Sequence, residues 1–405
     1  MSECVRAVVG RGPRPAAGPL PGLVGIPGTR LSPDKPPRGG GCGAGAPPHN
    51  GGTCFGLRVC KKCRHSTRRA KPGGRLKAWP HGYDGFIMRY RKLGRTTWDV
   101  SEIGYGAWGI GGNQWRGGTD DESIQALKRA IELGLNLIDT ALAYGEGHSE
   151  RLVGQVVRET KQKIYVATKV PPKNLLWPAR PGIGIDQVFP YDYILRCTEK
   201  SLKNLGMETV DLQQLHVWNP EWIARDEWRR AFEDLKKSGK VRAVGVSIND
   251  HQPDSALDLV KTGLVDTVQV IYNIFDQSPE RSLFPLTIEK SVGVLARVPF
   301  DEGSLTGAIR EDTEFDPKDF RAFYFRGDRK KQVVEHVKAL QQDLGETPLA
   351  EIALRFCFSN PAVSTVIPGM RRVKNAEANT QISGPLDPAT LEKLRHHAWP
   401  KNFYS

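Results

Sequence analysis

Short apolar segments alternate eight times with longer amphipathic segments between residues 88 and 405. The apolar segments are rich in Val, Ile and Ala, as in KIYVATKV, and the segments between them repeat apolar residues at helical spacing, as in DDESIQALKRAIELG. Continuously apolar strands separated by amphipathic helices are typical of a parallel sheet that is buried on both faces. Eight such units predict an α/β fold, a (β/α)8 barrel of TIM type with long loops around its active site.

A doubly wound sheet is the alternative for a chain that alternates strands and helices. Such a sheet usually has fewer strands, and a G-x-G-x-x-G motif marks its first turn from strand to helix. The glycine-rich stretch GYGAWGIGG does not place that motif at such a turn. The number of units and the position of the glycines therefore favour the barrel.

Residues 1–87 differ in composition from the rest of the chain. They hold 15 of the 58 lysines and arginines but only 3 of the 45 acidic residues, together with 12 of the 29 prolines and 18 of the 43 glycines. We expect this segment to be disordered, because it has too little apolar surface to offset the entropy cost of ordering. Alternatively, it is an over-extended gene start that precedes a natural start at Met88, or a tail that binds nucleic acid or a partner. Residues 88–405 are nearly neutral, so no nucleic-acid binding is predicted for the barrel.

The cysteines give little indication of metal binding or disulfides. Cys54, Cys60, Cys63 and His65 form one C-x2-C knuckle, but a second pair at the spacing of a zinc site is missing from the sequence. Only two cysteines follow residue 87, which is usual for a chain in a reducing cytosol. No apolar run reaches the 18 or so residues that span a bilayer, and PLPGLVGIPG is too short and interrupted for a signal peptide. We therefore predict a cytoplasmic protein without a membrane segment.

Polar residues stand at the ends of the predicted strands. In a (β/α)8 barrel the active site lies where the strands end, so these side chains are expected to meet at one rim. They are Asp139, Lys169, His216, Ser247, Asn249, Gln269, Arg297 and Arg371, in chain order, and Gly369 stands at the end of the eighth strand.

Four residues of this rim could protonate a carbonyl oxygen. The phenol of Tyr144, just after the second strand, has an ordinary pKa near 10 and needs help to act as an acid. The ammonium of Lys169 can lower that pKa, and Asp139 can hold the ammonium in place. His216 in its neutral form can donate a hydrogen bond to the substrate oxygen. Because the barrel has neither a metal-ligand cluster nor a G-x-S-x-G elbow, hydride from a nicotinamide is the expected complement.

The motifs that carry these residues resemble those of the aldo-keto reductase family. DTALAYGEGHSE is similar to its signature D-[TS]-A-x-x-Y-G, VATKV and QLH supply the lysine and the histidine, and GSLTG and VIPGMRRVKNAEAN resemble its cofactor-binding segments. The resemblance covers residues 88–405 and is strongest to the bacterial general NADPH-dependent aldo/keto reductases. It implies an enzyme that reduces an aldehyde or ketone to an alcohol, with Tyr144 as general acid, Lys169 and Asp139 tuning it, and His216 orienting the carbonyl.

The resemblance also implies which residues hold the cofactor. Gln269 matches the residue that bonds the nicotinamide carboxamide, and the Arg371–Arg372 pair suits a 2′-phosphate, which favours NADPH while leaving NADH possible. The implied cofactor-binding residues are Gly106, Ala107, Trp108, Ser247, Asn249, Gln269, Arg297, Pro299, Phe300, Gly303, Leu305, Gly369, Arg371, Asn375 and Asn379.

Two positions depart from the family pattern. After the fifth strand, Ile248 stands where the family has Asn, so either Asn249 takes that role or Ser247 acts alone. In the seventh strand, Arg297 replaces the aromatic residue that commonly stacks on the nicotinamide. A guanidinium can also stack on a ring, but its charge disfavours the oxidised, positive nicotinamide. We therefore expect Arg297 to bias the enzyme toward reduction.

The substrate is predicted in less detail. Trp108, Trp115, Trp218 and Asn219 are expected to contact a small-molecule carbonyl compound from loops above the rim. Two long inserts, residues 171–192 and 301–328, are expected to act as lids. The second insert mixes Arg and Asp with aromatic residues, which favours a hydroxylated or sugar-like aldehyde. The sequence leaves the oligomeric state open.

Two other functions are compatible with the same residues. The first is a cofactor-sensing regulatory subunit, similar to the β-subunits of potassium channels, with little turnover. The second is a lyase in which Lys169 forms a Schiff base with its substrate.

Overall fold

The computed structural model describes residues 88–112, 114–345 and 347–404. The predictions of disorder, of a zinc site and of an over-extended start fall on residues 1–87 and lie outside these ranges. Within them, no three His, Cys, Asp or Glu side chains are placed to hold a metal ion, and no helix is long and apolar enough to cross a membrane. Cys197 and Cys357 are both buried and free.

Eight parallel strands form one curled sheet in which every strand pairs with the next in the chain. Two parallel bridges, between Ile103 and Val366 and between Gly106 and Gly369, bring the last strand back to the first. The (β/α)8 barrel predicted from the sequence is therefore confirmed. Its strands are β3 (Tyr105–Gly106), β4 (Leu137–Asp139), β5 (Tyr165–Val170), β6 (Val210–Leu215), β7 (Val241–Ser247), β8 (Thr267–Ile271), β9 (Gly293–Arg297) and β10 (Val363–Val366).

Helices follow the strands as the amphipathic pattern predicts. The first begins with a capping box, in which Thr119 and Glu122 bond each other's backbone N–H groups. Short helices also occur inside both inserts, and one follows the last predicted helix. The helices are α1 (Asp120–Glu132), α2 (His148–Glu159), α3 (Ile185–Val188), α4 (Tyr191–Leu205), α5 (Glu227–Lys237), α6 (Leu257–Thr262), α7 (Leu283–Glu289), α8 (Phe320–Tyr324), α9 (Arg329–Leu344), α10 (Leu349–Ser359), α11 (Val373–Thr380) and α12 (Pro388–Arg395).

An antiparallel hairpin precedes the barrel and is absent from the sequence-based assignment. Its strands, β1 (Tyr90–Lys92) and β2 (Asp99–Ser101), have three residues each, which is too short to show a period. The hairpin brings Leu93, Trp98 and Val100 against the inward-facing apolar residues of the barrel strands. Because these side chains fill the amino end of the barrel, only its carboxyl end is left open for a site.

Candidate active site

A cavity of about 810 Å³ opens at the carboxyl end of the strands. Most residues predicted from the strand ends and from the family motifs lie on its wall. They are Gly106, Ala107, Trp108, Trp115, Asp139, Tyr144, His216, Ser247, Asn249, Gln269, Arg297, Pro299, Phe300, Gly303, Gly369, Arg371, Asn375 and Asn379.

Lys169 lies fully buried behind this wall and joins Asp139 to Tyr144. Its Nζ donates to Asp139 Oδ2 at 2.6 Å, to the carbonyl oxygen of Thr140 at 2.9 Å and to the hydroxyl of Tyr144 at 3.3 Å. Burial lowers the pKa of the Lys169 ammonium, but Asp139 and Tyr144 raise it by more, and the net direction is upward. The lysine is therefore a fixed positive charge beneath the phenol.

Two glutamines hold the other oxygen of Asp139. Gln214 Nε2 donates to Asp139 Oδ1 at 3.2 Å, and Gln269 Nε2 donates to it at 2.8 Å. Gln214 pairs with Lys169 across β5 and β6, so both side chains leave the sheet on the same side. Sequence reasoning missed Gln214, although a glutamine inside the apolar strand VDLQQL was a usable signal.

A tight turn after β4 places Tyr144 at the cavity. The N–H of Tyr144 donates to the carbonyl oxygen of Ala141 at 3.0 Å. At the next position, a side chain on Gly145 would come within 1.9 Å of the carbonyl oxygen of Gly111, and its φ is +62°. Only glycine fits there, which explains the YGEG sequence of this turn.

Burial raises the pKa of the Tyr144 phenol, and Lys169 lowers it by less, so that the net direction is upward. Lys169 lowers this pKa as expected, but burial has the larger effect. The physical reason is desolvation, which disfavours the phenolate throughout the buried site. Tyr144 is consequently protonated at neutral pH, the state that a proton donor needs.

His216 faces Tyr144 across the cavity, with ring centroids 5.6 Å apart. Burial, together with the positive charges of Lys169 and Arg297, holds the pKa of His216 well below its usual range. Neither ring nitrogen bonds to another described residue, and Nδ1 is buried without a partner. The imidazole is therefore neutral and available to a ligand.

Arg297 is partly buried in the wall, and sequence reasoning missed its counter-ion, Asp250. Its Nη2 donates to Asp250 Oδ1 at 2.6 Å and to the carbonyl oxygen of Ile248 at 3.0 Å. Burial lowers the pKa of Arg297, but Asp250, Tyr404 and Tyr144 together raise it by more. The guanidinium therefore faces the cavity as half of an ion pair rather than as a bare charge, because the chain turns at Asp250 two residues beyond Ile248.

Arg371 reaches over the cavity to the loop that follows β3. It donates from Nη1 to the carbonyl oxygen of Arg116 at 2.7 Å, and its guanidinium lies 5.5 Å from the Trp115 ring centroid. Arg321 covers the same ring at 5.1 Å and forms a bidentate pair with Asp319. Two guanidinium groups thus lie close to the ring of Trp115 at the cavity wall.

Ser247 and Gln269 offer polar atoms to the cavity, whereas Asn249 does not. In the part of the chain that the structure describes, the Ser247 hydroxyl and the Gln269 carbonyl oxygen have no hydrogen-bond partner, and both residues line the cavity. The amide of Asn249 is engaged instead by the backbone of Ala179, which donates to Oδ1 and accepts from Nδ2, each at 3.1 Å.

Three predicted contacts are not on the cavity wall. Trp218 is completely buried beside Trp222 and Trp228, with ring centroids 6.0 and 5.3 Å away. Asn219 is 4% exposed and donates to the carbonyl oxygen of Arg180 at 3.1 Å. Leu305 is fully buried under its own loop. Trp218 and Leu305 are core residues because their loops fold over apolar surface, and Asn219 satisfies a backbone group.

Other cavity residues were not singled out from the sequence. Trp177 and Phe320 come from the two long inserts and line the cavity together with Gln114 and Tyr404. Tyr404 donates to Glu302 Oε1 at 2.5 Å, and burial raises the pKa of Glu302 to about 7. The aromatic residues of the two inserts show no strand or helix periodicity. No sequence signal therefore separated Trp177 and Phe320 from ordinary loop residues.

Known proteins with similar sequences share this architecture. Residues 102–398 match the model of the aldo/keto reductase family. The chain is 31% identical to aldo-keto reductase YhdN of Bacillus subtilis over 310 residues, which cover 73% of this chain and 89% of that protein. It is 29% identical to a probable voltage-gated potassium channel subunit beta of Arabidopsis thaliana over 332 residues, 76% of this chain and 95% of that protein.

A solved structure agrees in fold as well as in sequence. The holo form of aldo-keto reductase AKR11C1 from Bacillus halodurans superposes with a TM-score of 0.62 at 27% identity, covering 77% of this chain and 96% of that one. The family match spans the barrel and the strand ends that form the cavity. The chain therefore belongs to the aldo/keto reductase family and is an NAD(P)H-dependent oxidoreductase.

Proposed function

We propose that this protein reduces an aldehyde or ketone to the alcohol, with NADPH as the hydride source. The observation that carries the proposal is the buried series of hydrogen bonds from Asp139 through Lys169 to Tyr144, which ends at a cavity beside His216. Such a series supplies a proton at one point of the cavity wall and stabilises the anion left behind.

Each residue of this hydrogen-bonded series has a distinct role in the proposal. The Tyr144 hydroxyl donates its proton to the carbonyl oxygen of the substrate. The Lys169 ammonium, 3.3 Å away, stabilises the resulting phenolate, and Asp139 keeps that ammonium charged and in place. The neutral imidazole of His216 donates a hydrogen bond to the same substrate oxygen and orients it.

The cavity residues fit a nicotinamide dinucleotide. A volume of about 810 Å³ lies within the range of cofactor sites. The unpartnered Ser247 hydroxyl and Gln269 carbonyl oxygen match the donors and acceptors of a carboxamide, and Arg371 can bind a phosphate. The nicotinamide, when bound, supplies the hydride, and Tyr144 supplies the proton.

We expect Arg371→Ala to lower the affinity for NADPH by about 10- to 100-fold, because a charge-assisted bond to the 2′-phosphate is worth roughly 1.5–3 kcal/mol. The affinity for NADH, which lacks this phosphate, should change by less than about threefold. Titration with each cofactor, followed by nicotinamide fluorescence, measures both. An equal loss for the two cofactors would mean that Arg371 acts only by holding the Trp115 loop.

Arg297 and Asp250 are expected to shift the relative affinities for oxidised and reduced cofactor in opposite directions. Arg297→Tyr removes a positive charge beside the proposed site of the nicotinamide, which is positive only in its oxidised form, and should raise the affinity for NADP⁺ relative to NADPH by about threefold. Asp250→Asn leaves that charge unpaired and should lower the same ratio of affinities. Fluorescence titration with NADP⁺ and with NADPH measures both affinities. An unchanged ratio in both variants would contradict a charge effect.

A cofactor-sensing role is the second candidate, and it rests on the similarity to a probable potassium channel subunit. Oxidation of NADPH in the presence of 4-nitrobenzaldehyde tests the proposed function directly. Steady turnover supports the reductase. Tight NADPH binding with no turnover of any aldehyde or ketone in a panel would favour the sensor.

A Schiff-base lyase is disfavoured by the surroundings of Lys169. The ammonium is fully buried and its three N–H groups are taken by Asp139, Thr140 and Tyr144. A lysine so engaged is not free to attack a carbonyl carbon.

The cytoplasmic location expected from the cysteine content stays a prediction.

A further inference from the structure

The loop between β5 and α3 carries one large aromatic residue into the cavity. Trp177 is 43% exposed, lines the cavity, and meets His216 edge to face with ring centroids 5.8 Å apart. The loop has no regular secondary structure to hold it from residue 171 to residue 184. Something else must therefore fix the position of Trp177.

Two asparagines from neighbouring loops hold the backbone just after Trp177. Asn249, which follows β7, forms reciprocal bonds with the N–H and carbonyl groups of Ala179, each 3.1 Å long. Asn219, which follows β6, donates to the carbonyl oxygen of Arg180 at 3.1 Å. Asn249 and Asn219 are 6% and 4% exposed, so the asparagine ends of these bonds are shielded from water.

The anchoring continues along the same segment. Glu221 accepts from the N–H of Gly182 at 2.8 Å, and Trp222 Nε1 donates to the carbonyl oxygen of Ile183 at 2.8 Å. Backbone groups of residues 179, 180, 182 and 183 are thus bonded to side chains from two other loops. Trp177 and Pro178 stand at the cavity edge of this fixed segment.

We propose that Trp177 is a specificity-determining residue of the carbonyl site, and that Asn249 is a positioning residue that fixes Trp177 through Ala179 instead of binding the nicotinamide. This inference rests on the proposed function. It leaves Ser247 and Gln269 to hold the carboxamide.

The proposal also names the class of substrate. Three aromatic rings line the cavity near Tyr144 and His216. Between ring centroids, Trp108 lies 6.3 Å from Tyr144, Trp177 lies 5.8 Å from His216, and Phe320 lies 4.8 Å from Trp108. Flat apolar walls favour a flat unsaturated substituent, such as an aryl group, on the carbonyl carbon. Within the insert that suggested a sugar-like aldehyde, Asp319 and Arg321 form an ion pair with each other.

The test compares Asn249→Ala, Trp177→Ala and the double variant. Asn136→Ala is the matched control, because Asn136 clamps backbone in the same way at the opposite end of the barrel, accepting from Ser101 at 2.7 Å and donating to Asp99 at 2.8 Å. For each variant we measure hydrogen exchange of residues 171–184 and the NADPH dissociation constant. KM and kcat are then measured for 4-nitrobenzaldehyde and for propanal.

We expect faster exchange in the loop of Asn249→Ala and an increase of about tenfold in KM for 4-nitrobenzaldehyde. KM for propanal and the NADPH dissociation constant should change by less than about twofold. Trp177→Ala should show the same loss of preference, and the double variant should be no worse than Trp177→Ala, because Asn249 acts through Trp177. Asn136→Ala should change none of these quantities.

Other results would overturn the proposal. NADPH affinity that falls tenfold in Asn249→Ala, with unchanged exchange in the loop, would make Asn249 a cofactor ligand. Equal effects on both aldehydes in Trp177→Ala, a half-exposed position that should not disturb folding, would remove Trp177 as a specificity residue. If wild-type protein turns over neither aldehyde, the proposed function fails, while exchange and NADPH titration still decide what Asn249 holds.

Discussion

Tyr144→Phe is expected to lower kcat by about 100- to 10,000-fold, the usual contribution of a positioned general acid. The change removes only the hydroxyl, which accepts a hydrogen bond from the Lys169 ammonium at 3.3 Å, and leaves the ring in the cavity wall. NADPH affinity should therefore stay within about twofold of wild type. Single-turnover reduction of 4-nitrobenzaldehyde, with NADPH titration beside it, separates chemistry from binding.

Tyr191→Phe is the control for this variant. Its hydroxyl also bonds a charged partner, Asp234 at 2.7 Å, but on α4 and away from the cavity. It should keep full activity. A Tyr144→Phe enzyme that retains more than about a tenth of the wild-type kcat would remove Tyr144 as the proton donor.

Lys169→Met is expected to lower the free energy of unfolding by about 3–5 kcal/mol, because it leaves Asp139 as a buried carboxylate without a counter-ion. The side chain of Lys169 is 0% exposed and that of Asp139 is 4% exposed, so water cannot replace the lost charge. The two glutamines on Asp139 Oδ1 satisfy one oxygen but supply no charge. Urea unfolding gives the free energy difference directly.

Two further variants separate the buried charge from a general packing effect. Lys169→Met combined with Asp139→Asn removes both charges and should recover more than half of the lost stability. Lys92→Met breaks an exposed pair of similar length, 2.9 Å to Asp99, and should cost less than about 1 kcal/mol. If the double variant is no more stable than Lys169→Met, loss of packing rather than an unpaired charge is responsible.

The structure changed the interpretation of several polar residues without changing the fold. Asn249 and Asn219, expected to contact cofactor and substrate, both hold the loop that carries Trp177. Trp218 was expected above the rim and is a core residue. Arg297, expected as a bare charge, is paired with Asp250. For the two asparagines and the arginine, the residue was recognised as unusual, but its partner lies in a segment that sequence spacing does not connect to it.

The amino-acid sequence by itself determined the barrel and the rim on which its functional residues stand. Strand and helix periods are local properties of the chain, and parallel strands place their carboxyl ends together whatever the loops do. Asp139, Tyr144, Lys169 and His216 could therefore be located without coordinates.

Only the tertiary structure decided which atoms those residues and their neighbours bond. Ala179 and Asn249 are 70 residues apart in the chain, and Gln269 is 130 residues from Asp139. Such bonds require distances of about 3 Å, and they depend on which buried donors and acceptors the fold brings together. Neither the periodicity of a strand nor the length of a loop contains that information, so the partners of Trp177, Gln214 and Asp250 had to come from the folded chain.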